Sequence, residues 1–232
     1  MIKVKNLYFK YEDEFVLKNI NLELKEGSFT AVIGANGSGK TTLAKHFNGL
    51  IVPDKGAVLI DGCDTKKDSM SARKNVGFVF QNFEDQIVYP IIEEDIGFGL
   101  ENLGLGYDKI QEIANKVIDK LKIQYLAKRN VNTLSIGQKQ LVALAGVLAM
   151  KPKYIVFDEP TTNLDEKNKK NILNIIKDLN KKDKITVILA TNVLNELKYA
   201  DYVIVLKNGS VIFDDTKSKL SKKIIKEAGL DD

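Results

Sequence analysis

The chain has 232 residues, 44% of them apolar and 28% charged, with a formal net charge of +4 and a pI near 8.8. That length carries one large α/β domain with an ordinary core, and the composition excludes a disordered chain. The longest apolar run, residues 141–150, is too short for a bilayer span of about 20 residues, and the single cysteine, Cys63, excludes an internal disulfide or a multi-cysteine metal site.

The first segments, "VKNLYFKY", "NINLEL" and "SFTAVIG", alternate like strands. The start lacks the apolar core of a secretory signal, so a cytosolic chain is expected. A glycine-rich turn follows, then a helix expected over 40–50, then strands at "AVLIDG" and "NVGFVF". From 93 to 150 the period becomes helical, as if a helical lobe were inserted into a sheet domain. Strands return at "KYIVFDEP", "ITVILAT" and "YVIVLKNG", separated by expected helices at "DEKNKKNILNIIKDLNKK" and "NVLNELKYA". Strands alternating with helices of this length imply βαβ units and a largely parallel sheet.

"GANGSGKTT", residues 34–42, fits the phosphate-loop spacing through Gly34, Gly39, Lys40 and Thr41, and it lies between a strand and a helix. Asn36, Gly37, Ser38 and Thr42 complete a loop whose N–H groups can face phosphate oxygens, aided by the positive end of the helix. Lys40 is expected on the outer phosphates and Thr41 on Mg²⁺. "YIVFDEP" delivers Asp158 and Glu159 at the carboxyl end of a buried strand, where ligands of open α/β sheets sit. Asp158 is expected to hold Mg²⁺ through water, and Glu159 to orient or deprotonate the attacking water. The two motifs together indicate nucleoside triphosphate hydrolysis.

"LSIGQKQ", residues 134–140, opens an apolar helix. With it, nearly the whole chain resembles the nucleotide-binding subunit of an ABC transporter. The family's LSGGQ signature appears as Leu134-Ser135-Ile136-Gly137-Gln138, with Ile136 in place of the first glycine. The resemblance implies an α/β P-loop NTPase of the ABC type: a mostly parallel core sheet, an N-terminal antiparallel β-subdomain and an inserted α-helical subdomain. It gives a single domain over 1–232, with a core of 1–87 and 151–232 and a helical subdomain of 88–150. It further implies that two subunits pack head to tail, so that Ser135, Gly137 and Gln138 close on the nucleotide of the other subunit. Ser135 reads equally as a helix N-cap.

Other positions match in turn. Tyr11 falls where the family stacks an aromatic on adenine, although it also reads as a sheet-face aromatic. Gln81 corresponds to the glutamine that touches Mg²⁺ and the attacking water, and "NLD", residues 163–165, resembles the loop that crosses the dimer interface. Asn192 occupies the place of the family's switch histidine. The only histidine, His46, follows the phosphate loop and is expected to be a packing or surface residue rather than a catalytic one. Asn192 cannot shuttle a proton but can donate a hydrogen bond to phosphate, so slow hydrolysis is expected with Glu159 retained. In a heterodimer, Asn192 and Ile136 would fall in opposite sites; in a homodimer both would fall in both. A heterodimer is modestly favoured over a homodimer.

"GFVFQNFEDQIVYPIIEEDIGFGLENLGL", residues 77–105, and "KHFNGLIVPDKGAVLIDG" are similar to the energy-coupling factor importers of vitamins and transition metals. That similarity implies ATP and Mg²⁺ as ligands and a location on the cytoplasmic membrane face. The transmembrane partner would be met near Gln81, Glu84 and Asp85, where a carboxylate pair suits arginine; a solvated acidic loop is the other reading. The chain stops soon after "KNGSVIFDDTKSKLSKKIIKEAGLDD", where many members of that group continue, and this basic segment reads as a solvated helix face. A soluble ABC-type ATPase acting on nucleic acid or ribosomes is the competing class. Such chains carry coiled-coil insertions, zinc motifs or paired cassettes that do not appear here, so no nucleic-acid partner is expected. A weakly hydrolysing regulatory subunit is the third reading.

Overall fold

The structure is a computed structural model that describes residues 1–230; the last two residues of the basic terminal segment lie outside the described residues. Two sheets form the frame. The first is antiparallel, with strands β1 (Ile2–Tyr11), β2 (Glu14–Leu24), β4 (Lys55–Ile60) and β5 (Cys63–Asp64) in the order β2-β1-β4-β5. The second contains β3 (Phe29–Ile33), β6 (Val76–Val79), β7 (Tyr154–Asp158), β8 (Thr186–Thr191), β9 (Tyr202–Lys207) and β10 (Ser210–Thr216). Its order is β10-β9-β3-β8-β7-β6, parallel throughout except for β10, which closes one edge antiparallel to β9.

The helices are α1 (Lys40–Phe47), α2 (Ser69–Asn75), α3 (Ile92–Asn102), α4 (Tyr107–Leu121), α5 (Ile136–Ala149), α6 (Glu166–Lys181) and α7 (Lys222–Glu227). α4 shows why its segment is helical: Ile110, Ile113, Ala114, Val117, Ile118 and Leu121 recur on one buried stripe. The lysine-rich opposite face stays in water.

Parallel strands covered on both faces should be apolar at every position, and β7 is buried along its whole length. Its alternation divides the core in two. Ile155 and Phe157 pack with Ile96, Leu144 and Ile176 on the side of α3–α6. Tyr154 and Val156 pack with Leu43 and Phe47 of α1 and with Ile2 and Leu7 of the antiparallel sheet. Each fully buried Leu or Ile there contributes about 2 kcal/mol by removal from water.

Two expectations need correction. The helix after the phosphate loop ends at Phe47 rather than residue 50, because Asn48 caps it and Gly49 turns the chain at φ 69°, donating to the carbonyl of His46. The stretch after Asn192 is not an α-helix but a 3-10 turn over Leu194–Tyr199. Glu196 N–H bonds Val193 O and Ala200 N–H bonds Leu197 O, three residues back in each case. β9 begins at Tyr202, which leaves no room for a longer helix.

Candidate nucleotide site

The parallel strands carry the chemistry to one edge. β3 runs into Gly34, β6 points toward Gln81, β7 ends in Asp158 before Glu159, and β8 ends at Thr191 before Asn192. Sequence positions as distant as 36 and 159 thereby face a single open cleft of about 330 Å³. Asn36, Gly37, Lys40, Thr41, Gln81 and Glu159 form its polar walls, with Gly39 and Thr42 beside them. Val16 of β2 adds an aliphatic wall that the sequence did not mark out.

Lys40 is only 4% exposed, and its Nζ donates to the carbonyls of Gly34 at 2.9 Å and Ala35 at 3.2 Å. Burial lowers its pKa, while Glu159, with Oε1 3.7 Å away, and Asp158 oppose that shift. The Thr41 hydroxyl donates to Asp158 Oδ1 at 3.0 Å. Burial raises the Asp158 pKa against this hydrogen bond. Gln81 Nε2 donates to Glu159 Oε2 at 3.0 Å, so the glutamine holds the carboxylate it was expected to serve beside. Glu159 stands at φ 46°, a left-handed backbone conformation that costs a non-glycine residue about 1 kcal/mol and aims its side chain back over the loop.

Gly34 and Ser38 lie beneath the cleft. A Cβ on Gly34 would sit 2.4 Å from Leu206 O, so no larger residue fits without moving β9. Ser38 Oγ is buried and has no hydrogen-bond partner among the described residues. An unanswered hydroxyl under a turn that leads into α1, whose first N–H groups lack intrahelical acceptors, suits a phosphate-bearing ligand. Thr41, Asp158 and Gln81 bring only oxygen donors and one carboxylate, the donor set for a hard cation that keeps water and phosphate ligands.

Asn192 stands at the margin: its Nδ2 donates to Asn36 Oδ1 at 3.0 Å. Tyr11 is 49% exposed at the end of β1 and meets Phe9 edge-on at 4.9 Å, while Phe9 meets His46 edge-on at 4.8 Å. His46 is fully buried, its Nδ1 is 2.8 Å from Thr42 O, and burial brings its pKa to about 4. It packs, as expected from its place after the loop.

Ser135, Gly137 and Gln138 are not in the cleft. Ser135 caps α5: its Oγ accepts from Gln138 N–H and the Gln138 Oε1 accepts from Ser135 N–H, a reciprocal capping box. Gly137 lets α5 approach α6 closely, since a Cβ there would lie 2.9 Å from the side chain of Asn168, which would have to move. Ile136, 50% exposed, shares a neighbouring groove with Gln81, Glu84 and Asn163. Glu84 pairs with Lys139 on the first turns of α5, and Asp85 is exposed.

A family profile described as ABC transporter matches residues 17–162. The chain is 40% identical to "Energy-coupling factor transporter ATP-binding protein EcfA1" of Clostridium novyi (strain NT), over all of this chain and 86% of that one. It is 44% identical to the protein of the same name from Clostridioides difficile (strain 630), again over all of this chain and 86% of the other. Among solved structures it is similar to cbiO1 from Clostridium perfringens, titled part of the ABC transporter complex cbiONQ, with 35% identity and a TM-score of 0.86 over 99% of this chain and 94% of that one. It is also similar to the ATP-binding cassette MJ0796 in a dimeric post-hydrolysis state bound to ADP and Pi, with 32% identity and a TM-score of 0.83 over 93% and 98% of the two chains.

Proposed function

The chain belongs to the ABC transporter family of ATPases, and on that premise we propose that it is the ATP-hydrolysing subunit of an energy-coupling factor importer for a vitamin or a transition metal ion. The observation that carries the hydrolytic part is the joining of Lys40, Thr41–Asp158 and Gln81–Glu159 in one cleft. When bound, ATP supplies the phosphoryl group and Mg²⁺ the positive charge that offsets it. Lys40 exchanges its loop carbonyls for phosphate oxygens. Thr41, Asp158 and Gln81 would hold the cation, Asp158 through water. Gln81 orients Glu159, which positions a water and takes its proton. Asn192 offers an amide hydrogen in place of a proton-shuttling imidazole, and Tyr11 provides the stacking surface for the base.

The core formed by 1–87 and 151–232 holds these groups, and 88–150 forms the helical subdomain that presents Ser135, Gly137 and Gln138 away from them. Their placement outside the chain's own cleft supports a head-to-tail pair in which each α5 N-terminus closes on the other subunit's nucleotide. A related but different ATPase chain is the favoured partner, since Asn192 and Ile136 then burden opposite sites. The Asn192–Asn36 bond favours a slow own site, because the amide is already engaged with the phosphate loop.

On this reading the membrane partner meets the face around Gln81, Glu84 and Asp85. Beside it an apolar cleft of about 300 Å³, with Leu50, Phe80, Val88, Phe98 and Met150 in its wall, fits a helix of the transmembrane subunit. No helix among the described residues is long and apolar enough to cross a membrane, so this contact would hold the subunit to the cytoplasmic face.

The test is Mg·ATP hydrolysis by the purified chain across protein concentrations, with Glu159→Gln as the blank. ATP binding without turnover is expected until a histidine-bearing partner chain is added. Fast, concentration-dependent turnover by the chain alone would sink the heterodimer reading.

A further inference from the structure

One buried carboxylate has no part in the hydrolytic scheme. Glu196, in the 3-10 turn over Leu194–Tyr199, is 1% exposed. Its Oε1 accepts a hydrogen bond from the Thr161 hydroxyl, and its Oε2 has no partner among the described residues. Burying a half-satisfied carboxylate is costly, so the one bond it makes should serve something beyond filling space.

That bond joins two loops the sheet no longer holds together. The β7–β8 ladder ends with Asp158 opposite Ala190, followed by Glu159 N–H donating to Ala190 O at 2.9 Å. Beyond that point, among the described residues, the Thr161–Glu196 bond is the hydrogen bond that crosses between the two loops. On one side, Thr161 belongs to the turn closed by Thr162 N–H on Glu159 O at 3.2 Å, and the Thr162 hydroxyl lies 3.5 Å from Glu159 Oε2. On the other, Val193 N–H bonds Thr191 Oγ1 at 3.0 Å and Glu196 N–H bonds Val193 O at 3.1 Å, so Asn192 and Glu196 share one folded segment. From below, Gln140 of α5, also 1% exposed, donates to Pro160 O and fixes the residue before Thr161.

We propose that Glu196 is a positioning residue for hydrolysis, tying the Thr161–Thr162 turn to the Asn192 segment so that Glu159 and Asn192 keep a fixed relation across the cleft. This rests on the hydrolytic reading above. It needs no charge on Glu196, only an acceptor for the Thr161 hydroxyl, and that distinguishes it from an ion-pair role.

The experiment measures kcat, ATP Kd and thermal midpoint for Glu196→Ala, Thr161→Val, their double variant and the conservative Glu196→Gln and Thr161→Ser, in the ATPase assembled with its transporter partners, the partner ATPase chain's own cleft being disabled so that kcat reads this chain's cleft. Hydrogen exchange of residues 159–164 and 191–197 is followed in the same proteins. Glu196→Ala and Thr161→Val should each lower kcat about tenfold with ATP Kd held within about threefold, because displaced catalytic groups cost rate more than binding. The double variant should lose no more than the worse single one. Glu196→Gln and Thr161→Ser should recover most of the loss, and exchange should quicken in both segments of Glu196→Ala. Unchanged kcat overturns the proposal, as does a parallel fall of kcat, ATP affinity and thermal midpoint with Glu196→Gln no better than Glu196→Ala. If the unsubstituted assembly does not exceed its Glu159→Gln blank, the hydrolytic reading fails separately. Exchange then decides the tie: quickening in both segments supports it, and quickening in 191–197 alone overturns it.

Discussion

The strand-end cleft and the N-terminus of α5 are both anion-directed by their chemistry, yet they are finished in opposite ways. In the cleft each key polar group is answered by another cleft residue: Lys40 by loop carbonyls, Thr41 by Asp158, Gln81 by Glu159 and Asn192 by Asn36. At α5 the polar atoms turn back on their own helix through the Ser135–Gln138 capping box, while Ile136 stands half exposed beside them. An apolar side chain at a helix N-terminus gains nothing from water. The cleft is finished by residues converging from several elements of the chain; the helix end is finished by its own capping box and leaves Ile136 half exposed.

The largest effect should come from breaking the cleft. In the assembled pair with the partner chain's cleft disabled, Glu159→Gln should reduce turnover at this chain's own cleft by about a thousandfold with ATP binding retained, checked by hydrolysis and equilibrium nucleotide binding. A loss of only a few-fold would mean that the cleft's groups do not act as a unit. The second effect is confined to the same half. His46 lies buried beneath the cleft with its pKa pushed from 6.5 to about 4, so the unfolded chain takes up the proton first as pH falls. Stability is therefore whole above pH 6.5 and is lost toward pH 4, by about 3 kcal/mol at 1.36 kcal/mol per unit. Urea unfolding at stepped pH should show that slope, and His46→Gln should flatten it. Third, Asn192→His should raise turnover about tenfold, if the amide is what limits the own site. The smallest effect tests the other region: Ser135→Ala should cost about 1 kcal/mol of cap, lowering the thermal midpoint by about 3 °C. Its ATP affinity in the own cleft should stay unchanged while ATP-dependent pairing weakens. A loss of own-cleft affinity in Ser135→Ala would erase the contrast between the regions.

The phosphate loop was legible because its chemistry lies in consecutive residues between a strand and a helix. Asp158 and Glu159 were legible because an apolar run announces a buried strand and ligands gather at strand ends. Residues that reach the site from the side were not. Val16 enters from β2 of the other sheet, and nothing in its alternation says which strand end it will overhang. The Asn36–Asn192 bond joins two amides whose types permit it without requiring it. Glu196 sits in a polar stretch that reads as a solvated helix, and only the 3-10 geometry turns it inward to Thr161. Two elements were also lost: α2, at seven residues, is under two full turns and too short to establish a helical period, and β10 is a half-buried edge strand without a clear alternation, defined by its partner β9.

The close approach at Gly137 has a consequence for how such chains can diverge. Because a single added carbon at 137 would press on the end of the Asn168 side chain, which must then rotate away, the two positions are coupled. Across relatives, a residue larger than glycine at 137 should be found more often with a side chain smaller than asparagine at 168. That pairing would be a record, readable from aligned sequences, of how tightly the first turn of α5 is pressed against α6.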